Sequence, residues 1–535
     1  MIRITEIKLP LDADDAALRC AAAAVLRCPE SRIRTLRLTK KAVDSRKKDN
    51  IFFVCNVEAE VTGDEQELIR RSRSNKVSAA EPYVYEEPPL RRTSPFRPVI
   101  AGFGPAGFFA ALTLARAGLR PIVLERGHDV DTRTADVQRF FRTGQLDENS
   151  NIQFGEGGAG TFSDGKLTTG IKSNLIRKVF LELADKGAPE EILWSAKPHI
   201  GTDKLAAVVK GFRKEVLSLG GEVRFGCRLC DVIIANKAVH GVTYESENGQ
   251  RVDLETDTLL LCIGHSARDT IEMLHRKGIQ MMQKPFSVGA RIEHPREFID
   301  RAQYGRFAGH PALGAADYKM ACHPPHGRGM YTFCMCPGGT VVAAASEKGG
   351  MCVNGMSEWA RDAENSNAAL LVGIEPQDFP SADVLSGFEL QRQIERTAFA
   401  LGGGNYAAPA QLVGDFLRDT PSTHGGAVRP SCPTGVVYSD IRRVLPKKVT
   451  DTMADALVKM NGMLDGFAMP EAVLTAPESR SSSPVRILRD EFFQSSVSGL
   501  YPCGEGAGYA GGITSSALDG LKSAKNFLEK ISQAT

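Results

Sequence analysis

The sequence lacks any long uninterrupted apolar run, any strong excess of one charge and any segment typical of a secretion signal. No apolar run approaches the roughly 18 residues that a membrane-spanning helix needs, so we expect no membrane span. The first fifteen residues, MIRITEIKLPLDADD, contain acidic residues and no apolar core. The 66 Lys and Arg nearly balance the 64 Asp and Glu, which favours neither nucleic acid nor a membrane surface as a global partner. We therefore expect a cytoplasmic protein.

The twelve cysteines are scattered along the chain and lack the pattern of a disulfide framework or a zinc site. Cys227 and Cys230 have CxxC spacing, but their segment reads as a strand, where residues three apart point to opposite faces. Cys334 and Cys336 would share one strand face, yet no second pair lies at the spacing of a zinc ribbon. We predict free thiols and no bound metal.

The length of 535 residues exceeds one ordinary hydrophobic core, so several domains are expected. Residues 1–80 combine strand and helix patterns and are predicted to form a small ferredoxin-like α+β domain. A proline-rich stretch at 81–98 reads as an extended linker. Nucleotide-binding patterns occupy 99–283 and return at 490–535, so residues 284–489 are expected to form an inserted substrate domain.

One basic run stands out within the N-terminal domain. The segment from Arg32 to Lys48 carries eight Lys or Arg against one Asp. This run is typical of a solvated hairpin edge whose charge resists pairing with other chains. The alternative is a docking face for RNA or for an acidic protein partner, although no aromatic residues are interleaved with the basic ones.

The segment VIAGFGPAGFFAALTLARAGLRPIVLERG, from Val99 to Gly127, has the pattern of a strand, a glycine turn, a helix and a second strand. In this G-x-G-x-x-G turn, the first glycine permits a tight turn, the second lets a pyrophosphate approach the backbone, and the third brings the helix close to the sheet. The pyrophosphate would lie at the helix N-terminus, and an acid about twenty residues later would bind ribose hydroxyls. The predicted binding residues are Gly102, Gly104, Pro105, Ala106, Gly107, Glu125 and Arg126.

Three later segments narrow the choice of dinucleotide. They are NIQFGEGGAGTFSDGKL, the strand that ends in CIGH, and CGEGAGYAGGITSSALDG before a final helix. With the glycine turn, and with KPFSVGARIEHP and YTFCMCPGG, they resemble the bacterial FAD-dependent dehydrogenases, a branch without settled activity among glutathione-reductase-like NAD(P)/FAD-dependent oxidoreductases. The binding residues that this resemblance adds are Gly157, Gly158, Gly264, Gly504, Glu505, Gly511, Gly512, Ile513 and Thr514.

The resemblance implies an α/β protein with a Rossmann-type FAD-binding domain, an inserted α+β substrate domain and a small N-terminal α+β domain. It implies non-covalent FAD, with Glu505 on the ribityl chain where Asp is usual. No second Rossmann fingerprint follows, so electrons must come from transiently docked NAD(P)H, from substrate or from another protein.

The chemistry expected of this class is hydride transfer at the flavin, with protein groups that orient a small-molecule substrate and move protons. An arginine such as Arg486, in the segment that returns to the flavin fold, would suit an anionic substrate. Further candidates are His294 in the insertion, and Asp164 and Lys166 in the second glycine-rich loop. The alternative is that His294 is a structural histidine and that Asp164 and Lys166 only hydrogen-bond their own loop. His323 and His326 lack a completing metal ligand. The alternative function is an RNA- or protein-binding flavoprotein that docks through its basic N-terminal domain.

Overall fold

The structure is a computed structural model that describes residues 1–88, 95–325 and 327–533. His326 and residues 89–94 of the predicted linker lie outside the described residues. Among the helices that are described, none is both long enough and apolar enough to span a membrane.

The N-terminal unit, residues 1–80, folds as two βαβ halves around one antiparallel sheet. Its four strands are hydrogen-bonded in the order β2-β3-β1-β4, which is the ferredoxin-like arrangement. Helix α1 places Leu18, Ala22 and Leu26 against the sheet, because residues three and four apart share one face of a helix. The elements are β1 (Ile2–Leu9), α1 (Asp15–Leu26), β2 (Ile33–Asp44), β3 (Phe52–Val61), α2 (Glu65–Ser72) and β4 (Val77–Ala79).

The N-terminal unit contacts the rest of the chain through its basic strand. The backbone N–H of Lys41 in β2 donates to the Trp194 carbonyl at 2.7 Å, and its carbonyl accepts from the Ala196 N–H at 2.9 Å. Buried apolar side chains of this unit also belong to the same contiguous cluster as those of the insertion. The middle of the basic run therefore serves an intramolecular contact.

The segment from 99 to 283 supplies most of the nucleotide-binding fold. Its elements are β5 (Val99–Ala101), α3 (Pro105–Arg116), β6 (Ile122–Leu124), α4 (Val130–Thr143), α5 (Leu175–Asp185), α6 (Thr202–Ser218), β7 (Glu222–Arg224), β8 (Cys227–Ala235), β9 (Ala238–Ser246), β10 (Arg251–Glu255), β11 (Leu259–Leu261), α7 (Arg268–Arg276) and β12 (Met281–Gln283).

The insertion follows, and the chain then returns to the nucleotide-binding fold. The inserted elements are β13 (Phe286–Pro295), α8 (Arg296–Tyr304), β14 (Ala321–Cys322), β15 (Met330–Cys336), β16 (Thr340–Ala343), β17 (Val353–Met356), β18 (Asn365–Ile374), α9 (Ser386–Leu401), β19 (Ala408–Leu412), α10 (Val413–Leu417), β20 (Val436–Tyr438), α11 (Lys447–Met463), β21 (Val473–Glu478) and β22 (Val485–Ile487). The returning elements are β23 (Leu500–Pro502) and α12 (Ile513–Gln533).

Five short parallel strands form the central sheet, in the order β23-β11-β5-β6-β7. Alternate residues face opposite layers: Ile100 packs on helices α3, α5, α6 and α12, whereas Val99 packs on the β8–β10 meander and α7. Burial on both faces explains why these strands read as continuous apolar runs. Their carboxyl ends meet at one edge, where a ligand binds in folds of this kind.

The insertion is built on a seven-stranded sheet in the order β14-β15-β18-β13-β21-β19-β20. In the central strand β13, Val288, Ala290 and Ile292 point into an apolar core that also includes side chains of α11. The alternate residues Arg291 and Glu293 are buried on the other face. One face of this sheet is therefore apolar core, and the other carries buried charge. The predicted fold class, a Rossmann-type domain with an inserted α+β domain and a small N-terminal one, is confirmed.

Candidate FAD site

The glycine turn after β5 has a distinct steric requirement at each glycine. A Cβ at Gly102, whose φ is +95°, would lie 2.4 Å from the Cys262 carbonyl oxygen, and a Cβ at Gly107 would lie 2.0 Å from the Gly102 carbonyl oxygen. At Gly104 the nearest atom, Gly158 Cα, is 3.5 Å away. Gly102 and Gly107 are thus required by the protein's own packing, whereas the missing side chain of Gly104 leaves space at the N-terminus of α3.

Glu125, directly after β6, is held by backbone donors. Its carboxylate accepts hydrogen bonds from the N–H groups of Phe103 at 2.7 Å, Gly127 at 3.0 Å and Gly155 at 2.9 Å. The carboxylate therefore joins the first glycine turn to the second glycine-rich loop. It keeps acceptor capacity for a ribose hydroxyl, because an ionised carboxylate has about four lone-pair sites.

The second glycine-rich loop is shaped by Arg133 of α4, which the sequence analysis did not single out. Its guanidinium is fully buried, and burial lowers its pKa to about 10, so it stays charged at neutral pH. It donates at 2.7–3.0 Å to the backbone carbonyls of Asn151, Ile152, Glu156 and Gly158. Arg133 thus binds the carbonyl groups of this loop, while the Gly155 N–H of the same loop donates to Glu125.

The third segment, after β23, contributes an acid and a helix start. Cβ atoms built at Gly511 and Gly512 meet no protein atom within 4 Å, so the N-terminus of α12 is open on this side. The Glu505 carboxyl makes no hydrogen bond to the described residues, and burial raises its pKa to about 7 while the charge of Lys284 opposes the rise. A carboxyl group whose pKa is close to neutral pH therefore lines the same cavity as the N-terminus of α12.

All three segments line one cavity of about 1480 Å³, a volume that includes its open mouth. The cavity runs along the carboxyl edge of the parallel sheet, and the insertion forms its remaining wall. The lining residues from the insertion are Phe333, Cys334, Cys336, Asn354, Gly355, Glu478, Arg480 and Ser481.

Comparison with known proteins identifies the family. A model described as FAD-dependent protein, C-terminal domain-like, matches residues 285–481, and a domain of unknown function matches residues 1–60. A Clostridium beijerinckii protein, described as an uncharacterized protein, is 45% identical over 536 residues, with 99% of each chain covered. The chain belongs to this family of FAD-dependent proteins. The predicted resemblance to glutathione-reductase-like flavoproteins and the predicted non-covalent FAD are confirmed.

Solved structures give weaker similarities. A geranylgeranyl bacteriochlorophyll reductase-like protein from Thermoplasma acidophilum is 13% identical at a TM-score of 0.38, with 82% of this chain and 79% of that chain covered. A flavoprotein/dehydrogenase from Cytophaga hutchinsonii is 12% identical at a TM-score of 0.35, with 81% and 79% covered. At these values, neither similarity carries information about the substrate.

The cavity of this FAD-dependent protein fits its cofactor. Two helix N-termini, at Gly104 and at Gly512, open into the cavity, and neither glycine has a Cβ that would block an approaching ligand. The side chain of Gln153 lines the cavity and is buried, and its Oε1 has no partner among the described residues. An orphaned acceptor of this kind is expected where a ligand supplies the donor.

The predicted cofactor residues divide into two groups. Those that line the cavity are Gly102, Gly104, Pro105, Ala106, Glu125, Arg126, Gly158, Gly264, Glu505, Gly511, Gly512 and Ile513. Gly107, Gly157, Gly504 and Thr514 lie behind the lining. Gly157 N–H donates to the Phe103 carbonyl at 2.8 Å, and Thr514 Oγ1 donates to the Leu167 carbonyl at 2.8 Å. The second group shapes the loops that carry the first.

Asp164 and Lys166 both line the cavity, but their surroundings differ. Asp164 accepts two hydrogen bonds from Arg361, at 3.0 and 2.6 Å, and one from Ser357. Burial alone would raise its pKa, but the charges of Arg361 and Lys166 lower it below its usual value. Asp164 is therefore an ionised group that fastens the loop to the insertion.

The structure does not bring Arg486 or His294 into the cavity lining. Arg486 donates to the Gly508 carbonyl at 3.2 Å and lies over the Tyr509 ring. His294 donates through Nε2–H to the Phe467 carbonyl at 2.7 Å, and burial lowers its pKa to about 4. Both side chains pack against neighbouring protein atoms. For His294 the reason is the alternation of side chains in β13, which turns it toward the apolar core.

Arg480, six residues before Arg486, is the arginine of this segment that lines the cavity. It donates to both carboxylate oxygens of Glu395, at 2.8 and 2.7 Å, and to Ser266 at 3.1 Å. Arg268 binds the same carboxylate at 2.8 and 3.0 Å. Burial alone would raise the pKa of Glu395, but these two arginines lower it well below its usual range. The wall of the insertion is therefore fixed by a buried group of paired charges.

A second buried pair supports the same wall. Arg291 donates to both oxygens of Glu478, at 2.8 and 3.2 Å, and to the Cys334 carbonyl at 3.0 Å. The twelve cysteines are all free thiols. Burial raises the pKa of Cys336 to about 11, so it is a neutral thiol at physiological pH.

Proposed function

We propose that this FAD-dependent protein is an oxidoreductase that transfers hydride between the flavin and a small-molecule substrate bound against the insertion. The observation that carries the proposal is the continuity of one cavity. The adenosine-side residues Glu125 and Arg126, the α12 start at Gly511–Ile513 and the insertion wall at Phe333 and Cys334 all line it. A cavity that only held a cofactor would not need a second polar wall from a separate sheet.

The residues present suggest how an extended dinucleotide would be held. The open N-terminus of α3 at Gly104 would receive the pyrophosphate, and Glu125 would bind ribose hydroxyls. The N-terminus of α12 at Gly512 would face the flavin edge, where a helix dipole favours negative charge. When bound, FAD supplies the capacity to accept or donate hydride.

Proton handling falls to Glu505 rather than to Asp164. Asp164 is held ionised by Arg361, so its carboxylate oxygens are occupied as acceptors. Glu505 lines the cavity without a hydrogen-bond partner among the described residues, and burial raises its pKa to about 7. Its carboxyl oxygen can therefore hold or release a proton near neutral pH, which suits a general acid or base.

The test is to purify the full chain and identify what it carries. We expect yellow protein that releases FAD on denaturation, by chromatography and mass spectrometry, and that is bleached anaerobically by photoreduction and recovers with an oxidant. Anaerobic addition of NADH or NADPH then tests nicotinamide as the transient electron donor. Colourless protein that takes up NAD but not FAD would contradict the proposal.

A further inference from the structure

Both arginines that line the cavity, and two of its acids, are paired with an opposite charge within the protein. Arg126 donates twice to Asp269, at 2.7 and 2.9 Å. Arg480 is paired with Glu395, and Glu478 with Arg291. In each pair the two opposite charges satisfy each other, so neither side chain leaves an unpaired charge for a ligand.

Lys166 is the exception among the cations. Its side chain lines the cavity and is half-buried. Within residues 1–88, 95–325 and 327–533, its Nζ makes no hydrogen bond and no ion pair. Asp164, an acid on which its charge acts, has both oxygens bound by Arg361. The ammonium group is therefore available to a ligand.

The loop connections place Lys166 at the α12 end of the cavity. The loop passes Gly104 at Gly158, since a Cβ at Gly158 would lie 3.1 Å from Gly104 Cα, and then reaches Ile513 at Gly160. Thr514, in the first turn of α12, donates to the carbonyl of Leu167, next to Lys166. The amine thus belongs to the end where α12 begins, away from Glu125.

The opposite wall indicates what else the ligand touches. Phe333 and Cys334 of β15 line the same cavity as Lys166. The Cys334 side chain is exposed at the cavity surface. Desolvation raises the pKa of its thiol, and Lys166 is foremost among the charges that oppose this rise, which indicates that the ammonium lies near β15. The cavity that holds the unpaired cation therefore also contains the Cys334 thiol near it and the adjacent apolar ring of Phe333.

We propose that Lys166 binds the anionic group of the substrate, and that the substrate is a small organic acid whose apolar part lies against Phe333. The inference rests on the proposed oxidoreductase function and names the substrate class of that same site. An ammonium group without a partner in a partly desolvated cavity favours an anion. Phe333 favours a carbon skeleton over an inorganic ion.

The experiment titrates the FAD-loaded full chain with benzoate and, as a neutral analogue of the same shape, with benzamide. Binding is followed by the change in the flavin absorption spectrum and, independently, by isothermal titration calorimetry. We expect benzoate to bind and benzamide to bind at least about tenfold more weakly. Lys166→Met should weaken benzoate at least about tenfold, and Lys166→Arg should restore most of the affinity. The matched control is Lys172→Met, an exposed lysine of the same loop, which should change neither value.

Three outcomes overturn the inference. One is that neither probe binds the FAD-loaded protein. Another is that affinity does not depend on charge, whether because benzoate and benzamide bind equally well or because Lys166→Met leaves benzoate binding unchanged. The third is loss of FAD from Lys166→Met, which would assign the amine to the cofactor phosphates. In each case a wild-type chain that still carries reducible FAD leaves the proposed function standing, so the two failures are distinguishable.

Discussion

The two walls of the cavity are built on opposite principles. The wall on the parallel sheet consists mainly of backbone N–H groups, missing side chains and the carboxyl groups of Glu125 and Glu505, all within loops that follow strand ends. The wall on the insertion consists of buried ion pairs, in which Arg480 meets Glu395 at a sequence separation of 85. The first wall is shaped to admit a ligand, whereas the second is fixed by side chains that satisfy one another.

This difference predicts separable effects of mutation. Substitutions in the parallel-sheet wall should lower ligand affinity with little change in the free energy of unfolding, because the added atoms enter space that the ligand would fill. Changes to the insertion wall should cost stability first, since a buried charge without its partner is strongly unfavourable.

The largest effect is expected from Glu395→Gln. This isosteric change leaves the buried guanidinium groups of Arg268 and Arg480 without their shared carboxylate, and we expect a loss of about 3–5 kcal/mol in apparent free energy of unfolding. Urea unfolding followed by far-UV circular dichroism measures it. The control Glu272→Gln removes the partly exposed pair with Arg392 and should cost about 1 kcal/mol or less. Equal losses in the two variants would contradict the comparison.

The next effect is on ligand affinity. Gly104→Ala adds a methyl group that meets only Gly158 Cα at 3.5 Å, and Gly104 has a φ of −85°, so the fold should tolerate it. We expect FAD affinity to fall about 100-fold, because the methyl group holds the pyrophosphate away from the α3 N–H groups. Quenching of flavin fluorescence on reconstitution gives the dissociation constant.

Gly462→Ala is the matched control for this change, since a Cβ at Gly462 meets no atom within 4 Å and the residue lies in α11. It should leave FAD affinity unchanged. Retention of FAD by Gly104→Ala at wild-type affinity would show that the turn is not where the pyrophosphate binds.

The smallest effect concerns pH. The pKa of Glu505 is raised to about 7, so the folded chain binds this proton more tightly than the unfolded chain does. Stability from this group is present at low pH and is lost as pH rises toward about 7. Between about pH 5 and about pH 8, the FAD-free wild type should lose about 2 kcal/mol that Glu505→Gln does not lose.

The control for the pH series is Glu491→Gln, at an exposed position of the same returning segment. It should keep the wild-type pH dependence. If Glu505→Gln shows the same slope of unfolding free energy against pH as the wild type, the raised pKa is wrong.

The comparison of the two walls also explains what the sequence could predict. The spacing of Gly102, Gly104 and Gly107 identified a binding turn, because each glycine acts on atoms within a short stretch of chain. The helices and strands of the insertion were predictable in outline from their periodicity. The role of Arg133 was not, since its partners are backbone carbonyls that any residue supplies.

The choice between two arginines near the end of the insertion shows where sequence reasoning stops. Arg486 was predicted to face the substrate because its segment returns to the flavin fold. Arg480 lines the cavity instead, since the turn after β21 directs it toward Glu395 of α9 and Ser266 after β11. That direction depends on how distant elements pack, and neither spacing nor composition records it.

We infer that one cavity holds FAD along the parallel sheet, with the isoalloxazine ring of the cofactor facing the insertion. A crystal structure of the FAD-loaded chain tests it most directly. We expect the adenine near Glu125 and Arg126, and the isoalloxazine ring between Gly512 and the β15 wall at Phe333. A ring at the Glu125 end, or a cofactor outside this cavity, would contradict it.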